Sequence, residues 1–314
     1  MPGIRLDRAL TTRVFHPLSR AFGFTGRFRL PILMYHSISD DPQNGLSPYY
    51  RTTTSPAVFR QHLRFLADEG YKALTLKDAL SLLAGISKSQ VSTLNFQPST
   101  FNRFVVLTFD DGFRDFYTTA FPILKKNGFS ATMFVPTAFI GKEARRFNEH
   151  ECLTWDEIKE LHASGMEFGS HSVSHPKFVD LDWPQIDREL RDSKAEIEQH
   201  LGESVTSFAY PYAFPQADKL FATLFLERVC HSGYQCCVTT ELGCARPGHD
   251  PLRLPRLPAN GADDARLFRA KLEGAYDWLA GPQAVVKKLK ASFRQNGTRL
   301  SRAATTLEKP CVKP

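Results

Sequence analysis

The sequence predicts an α/β fold in which parallel strands alternate with crossover helices and close into a barrel. Short apolar runs alternate with segments of helical spacing along most of the 314-residue chain, and no internal repeat is present. The polar residues best suited to chemistry each follow a predicted strand, and the active sites of barrels collect at the carboxyl ends of their strands. The alternation by itself also fits an open sheet, and the shared position of these polar residues favours the barrel.

Each predicted strand is a short apolar run closed by a turn or polar residue. In chain order, strands are expected at 30–36, 73–75, 104–109, 131–135, 166–169, 207–210, 235–238 and 252–257. The predicted helices begin at a capping residue or show helical apolar spacing; Ser55 before Pro56 and Thr154 before Glu157 are the clearest starts. Helices are expected at 55–70, 76–84, 114–127, 154–165, 183–201, 216–229 and 263–274, with polar loops at 40–55 and 85–103.

Charge is distributed unevenly along the chain. The whole chain carries +7, residues 1–30 carry +5 and residues 283–314 carry +7, which leaves −5 for residues 31–282. An acidic central region excludes nucleic-acid binding by the domain as a whole. The basic ends suit either an anionic membrane surface or solvated tails that aid solubility.

These shifts in composition divide the chain into three parts. We expect a basic N-terminal segment at 1–29, one α/β domain at 30–280 and a basic C-terminal tail at 281–314. The first segment has loosely helical apolar spacing among its arginines, and Pro17 is expected to interrupt that helix.

The sequence contains no recognisable export or membrane-spanning signal. No apolar stretch of signal-peptide length precedes Pro31, and no run approaches the roughly 18 apolar residues of a spanning helix. The six cysteines include no CxxC pair and match neither a zinc ribbon nor a small disulfide scaffold. We therefore expect reduced thiols and a cytoplasmic protein, with peripheral membrane contact through the basic ends as an open alternative. No oligomeric state follows from the sequence.

Two carboxylates and two histidines are the strongest candidates for a metal site. Asp110 and Asp111 follow the buried run 104–109, where two acids are costly unless they are compensated. His171 and His175 lie four residues apart, a spacing that places both imidazoles on one side of a helical turn. One carboxylate and two imidazoles with an open position make a catalytic zinc site, and they also suit a nonhaem iron oxygenase. A helix-capping turn and two surface histidines are the structural alternatives.

Several motifs together resemble the polysaccharide deacetylases, the NodB-homology enzymes of carbohydrate esterase family 4. The resemblance covers residues of about 30 to 275. Its motifs, in the order of this chain, are LMYHSI at 33–38, TFDDG at 108–112, LTWDE at 153–157, HSVSH at 171–175 and FAYPY at 208–212.

This resemblance implies a distorted (β/α) barrel that binds one divalent metal. Its ligands would be Asp111, His171 and His175, and the metal would be zinc or else cobalt, nickel or iron. Asp110 would be the catalytic base. Asp110 would take a proton as water attacks an acetamide carbonyl, and the backbone N–H of Tyr212 would help to hold the oxyanion.

The proton donor and the partner of the base depart from the commoner family pattern. Many members use a histidine late in the chain, whereas members resembling the poly-N-acetylglucosamine deacetylases use the histidine of a Met-Tyr-His segment, which corresponds to His36. The third motif, 208–213, lacks the usual initial arginine and final glycine, and Ala213 enters positive φ less readily than glycine. Arg256 is the candidate to replace that arginine from another strand end.

Three further residues are candidates for substrate binding. Trp155 follows a loop and has a ring suited to stacking on a sugar, although a core or capping role fits it equally well. Tyr210 and Pro211 belong to the motif that carries Tyr212.

The leading hypothesis is a metal-dependent hydrolase that removes N-acetyl groups from a glycan containing N-acetylhexosamine. One alternative is a deacylase or deformylase of a lipid-linked sugar at the membrane surface, since the chain has basic ends. An alternative of another class is a catalytically inactive carbohydrate-binding module, although the residues of the metal site are all present.

Overall fold

Seven parallel strands form the centre of the protein in this computed structural model, which describes residues 5–22, 28–41, 43, 46–86 and 103–295, with side chains up to residue 289. The prediction of a loop at 85–103 therefore lies mostly outside the described residues. The strands are β1 (Ile32–Tyr35), β2 (Lys72–Leu74), β3 (Phe104–Phe109), β4 (Thr132–Val135), β5 (Arg146–Phe147), β6 (His150–Glu151), β7 (Glu167–Ser170), β8 (Ser207–Ala209), β9 (Cys236–Leu242) and β10 (Leu254–Pro258).

The strands close into a barrel because β1 pairs with strands on both of its sides. The order around the barrel is β1, β10, β9, β8, β7, β4 and β3, and β3 pairs again with β1, always in parallel. Strand β2 pairs with the first half of β3, with Leu74 opposite Val106, and β4 pairs with the second half, with Thr108 opposite Thr132. The structure thus confirms the barrel and excludes the open sheet.

Helices surround the barrel in the alternation that the sequence predicts. They are α1 (Leu6–Leu10), α2 (His16–Ala21), α3 (Pro56–Asp68), α4 (Leu76–Gly85), α5 (Phe121–Lys126), α6 (Trp155–Ala163), α7 (Trp183–Leu201), α8 (Lys219–His231), α9 (Ala265–Leu272) and α10 (Ala280–Gln295). Ser55 caps α3, and Thr154 forms a capping box with Glu157 at the start of α6, as the sequence predicts.

Two helices contain a proline near their start, and the sequence predicts a break at the first of these prolines, Pro17. Pro17 and Pro122 are each the second residue of a helix, α2 or α5, that follows a five-residue π-helical turn. Proline lacks an N–H and its ring collides with the carbonyl four residues earlier, and a wider π turn removes that conflict. The expectation that Pro17 interrupts the N-terminal helix is therefore wrong.

Side chains alternate between the two faces of each strand, and this alternation builds two hydrophobic cores. The outward faces, including the fully buried Leu107 and Phe208, pack against the surrounding helices. The inward faces, including Val106 and Phe134, form a second cluster that α4 joins through residues such as Ala79. On the same inward faces, the next positions toward the carboxyl ends of the strands hold the residues of the candidate site.

Helix α4 lies at the amino end of the barrel and closes it. The backbone N–H of Leu76 donates to Thr132 Oγ1 (3.0 Å), and that of Lys77 donates to Glu167 Oε2 (3.1 Å). Thr132 and Glu167 are the first residues of β4 and β7, so the start of α4 lies under these strands. The carboxyl end is left to carry the functional residues, as expected for a barrel.

A short hairpin and the first part of the basic C-terminal region differ from the simplest expectation. Strands β5 and β6 pair around Asn148 and Glu149, which both have positive φ, in a region for which no strand is predicted. The turn lacks the glycine that signals such a hairpin in sequence. Helix α10 packs against β9, and Lys287 Nζ donates to the carbonyl of Phe214 (3.2 Å), so the region assigned to a tail begins with a docked helix.

The expectation of reduced thiols holds for most of the described cysteines. Among the residues that the structure describes, Cys152, Cys236, Cys237 and Cys244 are free and buried, whereas Cys230 is disulfide-bonded, so the expectation of reduced thiols is wrong for Cys230. Among the helices of the described residues, none has the length and apolar character needed to cross a membrane.

Replacement of Gly169 by alanine should destabilise the barrel next to the candidate site. A Cβ at this position of β7 would lie 2.5 Å from both Phe134 Cε1 and Ser207 Oγ, too close for any real contact. We expect G169A to lower the free energy of unfolding by about 1–3 kcal/mol, the usual cost of overpacking a core. Urea denaturation measures it. In the control G281A the new Cβ meets nothing within 4 Å, and a loss of stability as large as that of G169A would contradict the packing argument.

Candidate active site

The two acids after β3 point in different directions because the backbone turns sharply between them. Asp110 continues the strand, and its N–H donates to the carbonyl of Tyr35 on β1 (3.0 Å). Asp111 has φ of 74° and Gly112 has φ of 65°, both in the left-handed region. One acid therefore stays at the inner face of the barrel while the next is turned away from it.

Asp110 forms a bidentate ion pair with Arg256 in the barrel interior. Arg256 Nη1 and Nη2 donate to the two carboxylate oxygens at 2.7 and 2.8 Å, and both residues are almost completely buried. Arg256 lies on β10, and its Nε donates to the carbonyl of Thr239 (3.1 Å). Burial by itself would raise the pKa of Asp110, but the charge of Arg256, with lesser help from His171 and His36, holds that pKa below its ordinary value.

Asp111 faces the two predicted histidines. Its Oδ1 lies 3.3 Å from His175 Nε2 and 3.5 Å from His171 Nε2, and all three side chains are buried. Burial would raise the pKa of Asp111, but its contacts with the two imidazoles outweigh that effect and hold its pKa far below the ordinary range. Burial lowers the pKa of His175 and so favours the neutral imidazole that can bind a metal.

The histidines lie on an irregular turn after β7 rather than on a helix. Ser172 and His175 both have positive φ, at 70° and 54°. His175 N–H donates to Ser172 Oγ (3.0 Å), and Ser172 N–H donates to Ser170 Oγ (3.1 Å). The serines of the motif thus hold the turn that brings both imidazoles toward Asp111.

The chemistry of these three side chains fits a divalent metal. Asp111 Oδ1 is buried yet forms no hydrogen bond within the described part of the chain, which marks it as a group that needs a partner. His171 Nδ1 donates to the carbonyl of Ala209 (2.8 Å), so its Nε2 lone pair faces Asp111. Two ligands about 2.0–2.1 Å from a tetrahedral metal lie about 3.3 Å apart, close to the separations seen here. Asp111, His171 and His175 are therefore able to hold one metal ion together.

Tyr212 and His36 complete the set of residues around these acids. Tyr212 is half exposed, and its ring lies 4.5 Å from that of His175. The left-handed residue of this loop is Tyr212 itself, with φ of 57°, so Ala213 does not need the conformation that glycine would supply. His36 follows β1, the strand between β3 and β10, and its charge helps to lower the pKa of both Asp110 and Asp111.

The three residues expected to bind substrate are buried instead. Trp155 is 4% exposed and stacks on His200 with ring centroids 3.9 Å apart, and Tyr210 is 2% exposed among core aromatic rings. Pro211 is buried as well. A sugar cannot reach these faces in this structure, so the expectations that Trp155 stacks on a sugar and that Tyr210 and Pro211 bind substrate are corrected: all three residues are buried. The exposed ring in this region is that of Tyr212.

Sequence reasoning missed residues that hold the site in place. Glu189 of α7 accepts hydrogen bonds from the backbone N–H groups of Val173 and Ser174 (2.9 Å each) in the histidine turn. Asp115 accepts a hydrogen bond from Ser37 Oγ (2.5 Å), next to His36, and burial raises the pKa of Asp115 above its ordinary value. No local sequence pattern marks Glu189 as part of the site. Asp115 lies four residues after Asp111 and could have been included with that motif.

Removal of the Arg256 side chain should leave a buried, unpaired carboxylate. We expect R256M to lower the free energy of unfolding by about 3–5 kcal/mol, the usual effect of breaking a buried ion pair. Addition of D110N to R256M removes the unpaired charge. The double variant should therefore lose about 1–3 kcal/mol less stability than the sum of the two single losses, and this difference is the coupling energy. Urea denaturation of the two single variants and the double variant measures this coupling. Effects that simply add would show that the pair does not interact as the structure indicates.

Comparison with known proteins identifies the family of the chain. The sequence profile of the Polysaccharide deacetylase family matches residues 98–226. The chain is 33% identical over 245 residues to YxkH of Bacillus subtilis, named as a polysaccharide deacetylase, and the match covers 78% of this chain and 76% of that protein. It is 24% identical to the poly-beta-1,6-N-acetyl-D-glucosamine N-deacetylase of Staphylococcus epidermidis, over 72% of this chain and 77% of the relative.

A solved structure shows the same fold. The deacetylase PplD of Streptococcus pyogenes, in complex with acetate, is 28% identical and superimposes with a TM-score of 0.62, over 78% of this chain and 99% of that one. By its motifs, its barrel and its similarity to these proteins, the chain belongs to the polysaccharide deacetylase family and is a hydrolase that acts on polysaccharide.

Proposed function

We propose that this polysaccharide deacetylase is metal-dependent and removes N-acetyl groups from a glycan that contains N-acetylhexosamine. One observation carries the proposal: Arg256 holds Asp110 beside the cluster of Asp111, His171 and His175 but outside it. Three side chains are then available to bind one ion, and the neighbouring acid remains available to accept a proton.

Asp111, His171 and His175 would hold the metal. When bound, a divalent metal supplies Lewis acidity that lowers the pKa of water toward neutrality and polarises an acetamide carbonyl. Two imidazole nitrogens and one carboxylate oxygen suit zinc best among the common ions, with cobalt, nickel and iron as further candidates.

Asp110 would act as the general base. Its ion pair with Arg256 keeps the carboxylate ionised, so it is able to accept a proton at neutral pH. The same ion pair fixes the orientation of the carboxylate, because both oxygens are held by one planar guanidinium. Asp110 would take the proton of the water that attacks the carbonyl carbon.

His36 and Tyr212 would serve the other side of the reaction. The N–H of Tyr212 is proposed to donate to the oxyanion as the carbonyl becomes tetrahedral. His36 would give a proton to the nitrogen as the carbon–nitrogen bond breaks, which leaves a free amine on the sugar and releases acetate. Two observations support this proposal: His36 follows β1, the strand between those of Asp110 and Arg256, and it interacts electrostatically with Asp110.

The substrate proposal rests on the relatives and on the open surface of the site. The Staphylococcus epidermidis relative is named for a polymer of N-acetyl-D-glucosamine. The half-exposed ring of Tyr212 next to His175 offers an apolar face to a sugar. The lipid-linked sugar and the inactive binding module are not favoured, since the relatives are polysaccharide deacetylases and the residues of the site are brought together.

Metal-dependent acetate release from N-acetylglucosamine oligosaccharides of defined linkage tests the proposal. We expect activity to disappear after treatment with a chelator and to return with added zinc, cobalt, nickel or iron(II). D110N should lower kcat/KM about 10²–10⁴-fold, as expected for loss of a general base, without loss of bound metal. Elemental analysis measures the metal, and D156N serves as control because Asp156 is 88% exposed. Full activity of the chelated enzyme would refute metal dependence, and full activity of D110N would refute the base.

The role of His36 as proton donor is tested with two leaving groups. An amine leaves poorly unless it is protonated, whereas nitrophenolate leaves without a proton. H36Q should therefore lower deacetylation of the glycan about 10²–10⁴-fold and reduce hydrolysis of 4-nitrophenyl acetate less than about 10-fold. D110N should impair both reactions. Equal losses on both substrates in H36Q would argue against a role in protonating the amine.

A further inference from the structure

The N-terminal helical segment presents a row of apolar side chains to solvent. Leu6 is 67% exposed, Leu10 39%, Val14 40% and Leu18 46%, and these residues follow one another at intervals of four. We call this row the apolar face. Single exposed apolar residues are normal on a protein surface, but an ordered row on one helix indicates an interaction surface.

The π turn between α1 and α2 keeps the row on one side of the segment. In a regular α-helix, residues four apart are rotated by about 40° beyond a full turn, so such a row would wind around the axis. The π-helical turn at Thr11–Phe15 is wider and takes back part of this rotation. The four residues therefore stay close to one line from Leu6 to Leu18.

The opposite side of the segment is docked firmly on the domain. Tyr276 OH donates to Asp7 Oδ2 (2.8 Å), and Trp278 Nε1 donates to Thr11 Oγ1 (2.9 Å). The ring of Phe15 stacks on that of Trp278 with centroids 4.6 Å apart. The segment is thus fixed in orientation, and it cannot bury the apolar face by rolling over without breaking these contacts.

Two exposed arginines of the same segment have no acidic partner in the described part of the chain. Arg13 and Arg20 are exposed and form no ion pair there, whereas Arg8 of the same segment pairs with Asp264. Residues 1–30 carry +5, although residues 31–282 carry −5. The N-terminal segment therefore carries positive charge beside a central domain that is acidic, and residues 283–314 carry a further +7.

We propose that the apolar face, with Arg13 and Arg20, binds the surface of a bilayer that contains anionic phospholipid. A helix with apolar residues on one side and arginines beside them lies parallel to a membrane, with its apolar side chains at the boundary between headgroups and acyl chains. The arginines pair with anionic headgroups.

Charge argues against a second copy of this chain as the occupant. A two-fold dimer through this face would place each apolar face against its own copy. Arg13 and Arg20 would then approach the same two arginines of the partner, and like charges across an interface oppose association. An anionic lipid surface satisfies both the apolar side chains and the arginines.

Flotation of the full chain with lipid vesicles tests this proposal without any need for enzymatic activity. We expect the wild-type protein to float with vesicles of phosphatidylcholine and phosphatidylglycerol in equal proportion, and to remain behind with vesicles of phosphatidylcholine alone. R13E/R20E should weaken binding at least about 30-fold, because two attractive charges become repulsive. L10E/L18E should weaken it at least about 10-fold through loss of apolar burial.

Matched variants elsewhere on the surface separate this site from overall charge and hydrophobicity. Arg60 and Arg64 are exposed on α3, so R60E/R64E makes the same change of charge away from the apolar face. Leu46 and Leu220 are 48% and 67% exposed, so L46E/L220E matches the other variant. Both controls should bind as the wild type does, and thermal unfolding should show all variants folded.

Three results would overturn the proposal. Wild-type protein that stays behind with the anionic vesicles would exclude a membrane surface. Equal losses in R60E/R64E and R13E/R20E would assign binding to net charge rather than to this face. A dimer detected by sedimentation equilibrium, and abolished by L10E/L18E, would assign the face to a second copy of the chain.

Discussion

The ion pair between Asp110 and Arg256 is the interaction on which the site depends. Two adjacent carboxylates of the same kind would otherwise compete for the same positive partners. The guanidinium takes both oxygens of Asp110, and the left-handed turn directs Asp111 to the histidines. The pair joins β10 to the end of β3 across the intervening β1, so it can form only after the barrel has closed.

Backbone strain is concentrated around the same centre. Asp111, Ser172, His175 and Tyr212 all have positive φ, a conformation that costs a non-glycine residue about 1–2 kcal/mol. Hydrogen bonds from backbone N–H groups of the histidine turn to Ser172 Oγ and to Glu189 hold part of this geometry in place. Strain of this kind persists where the surrounding structure fixes it, and it occurs preferentially at functional sites. The barrel thus supplies a rigid frame for three turns, with four strained residues, that would not adopt these conformations alone.

The two ends of the barrel and the N-terminal helix occupy separate parts of the protein. Helix α4 closes the amino end, the site occupies the carboxyl end, and the N-terminal helix lies against α9 and the residues that follow it. Its docked side uses aromatic and polar contacts, which leaves its apolar row outward. A surface for attachment and a site for catalysis can therefore coexist on one chain without sharing residues.

The sequence by itself determined the alternation of strands and helices, the adjacent acids after β3 and the histidine motif. These features are readable because apolar periodicity and short spacings are properties of neighbouring residues. Only the tertiary structure decided that Trp155 packs inward against His200, since a residue just after a helix cap can face core or solvent. It also decided the pairing of Asp110 with Arg256, because these residues are 146 positions apart and barrel closure alone brings them together.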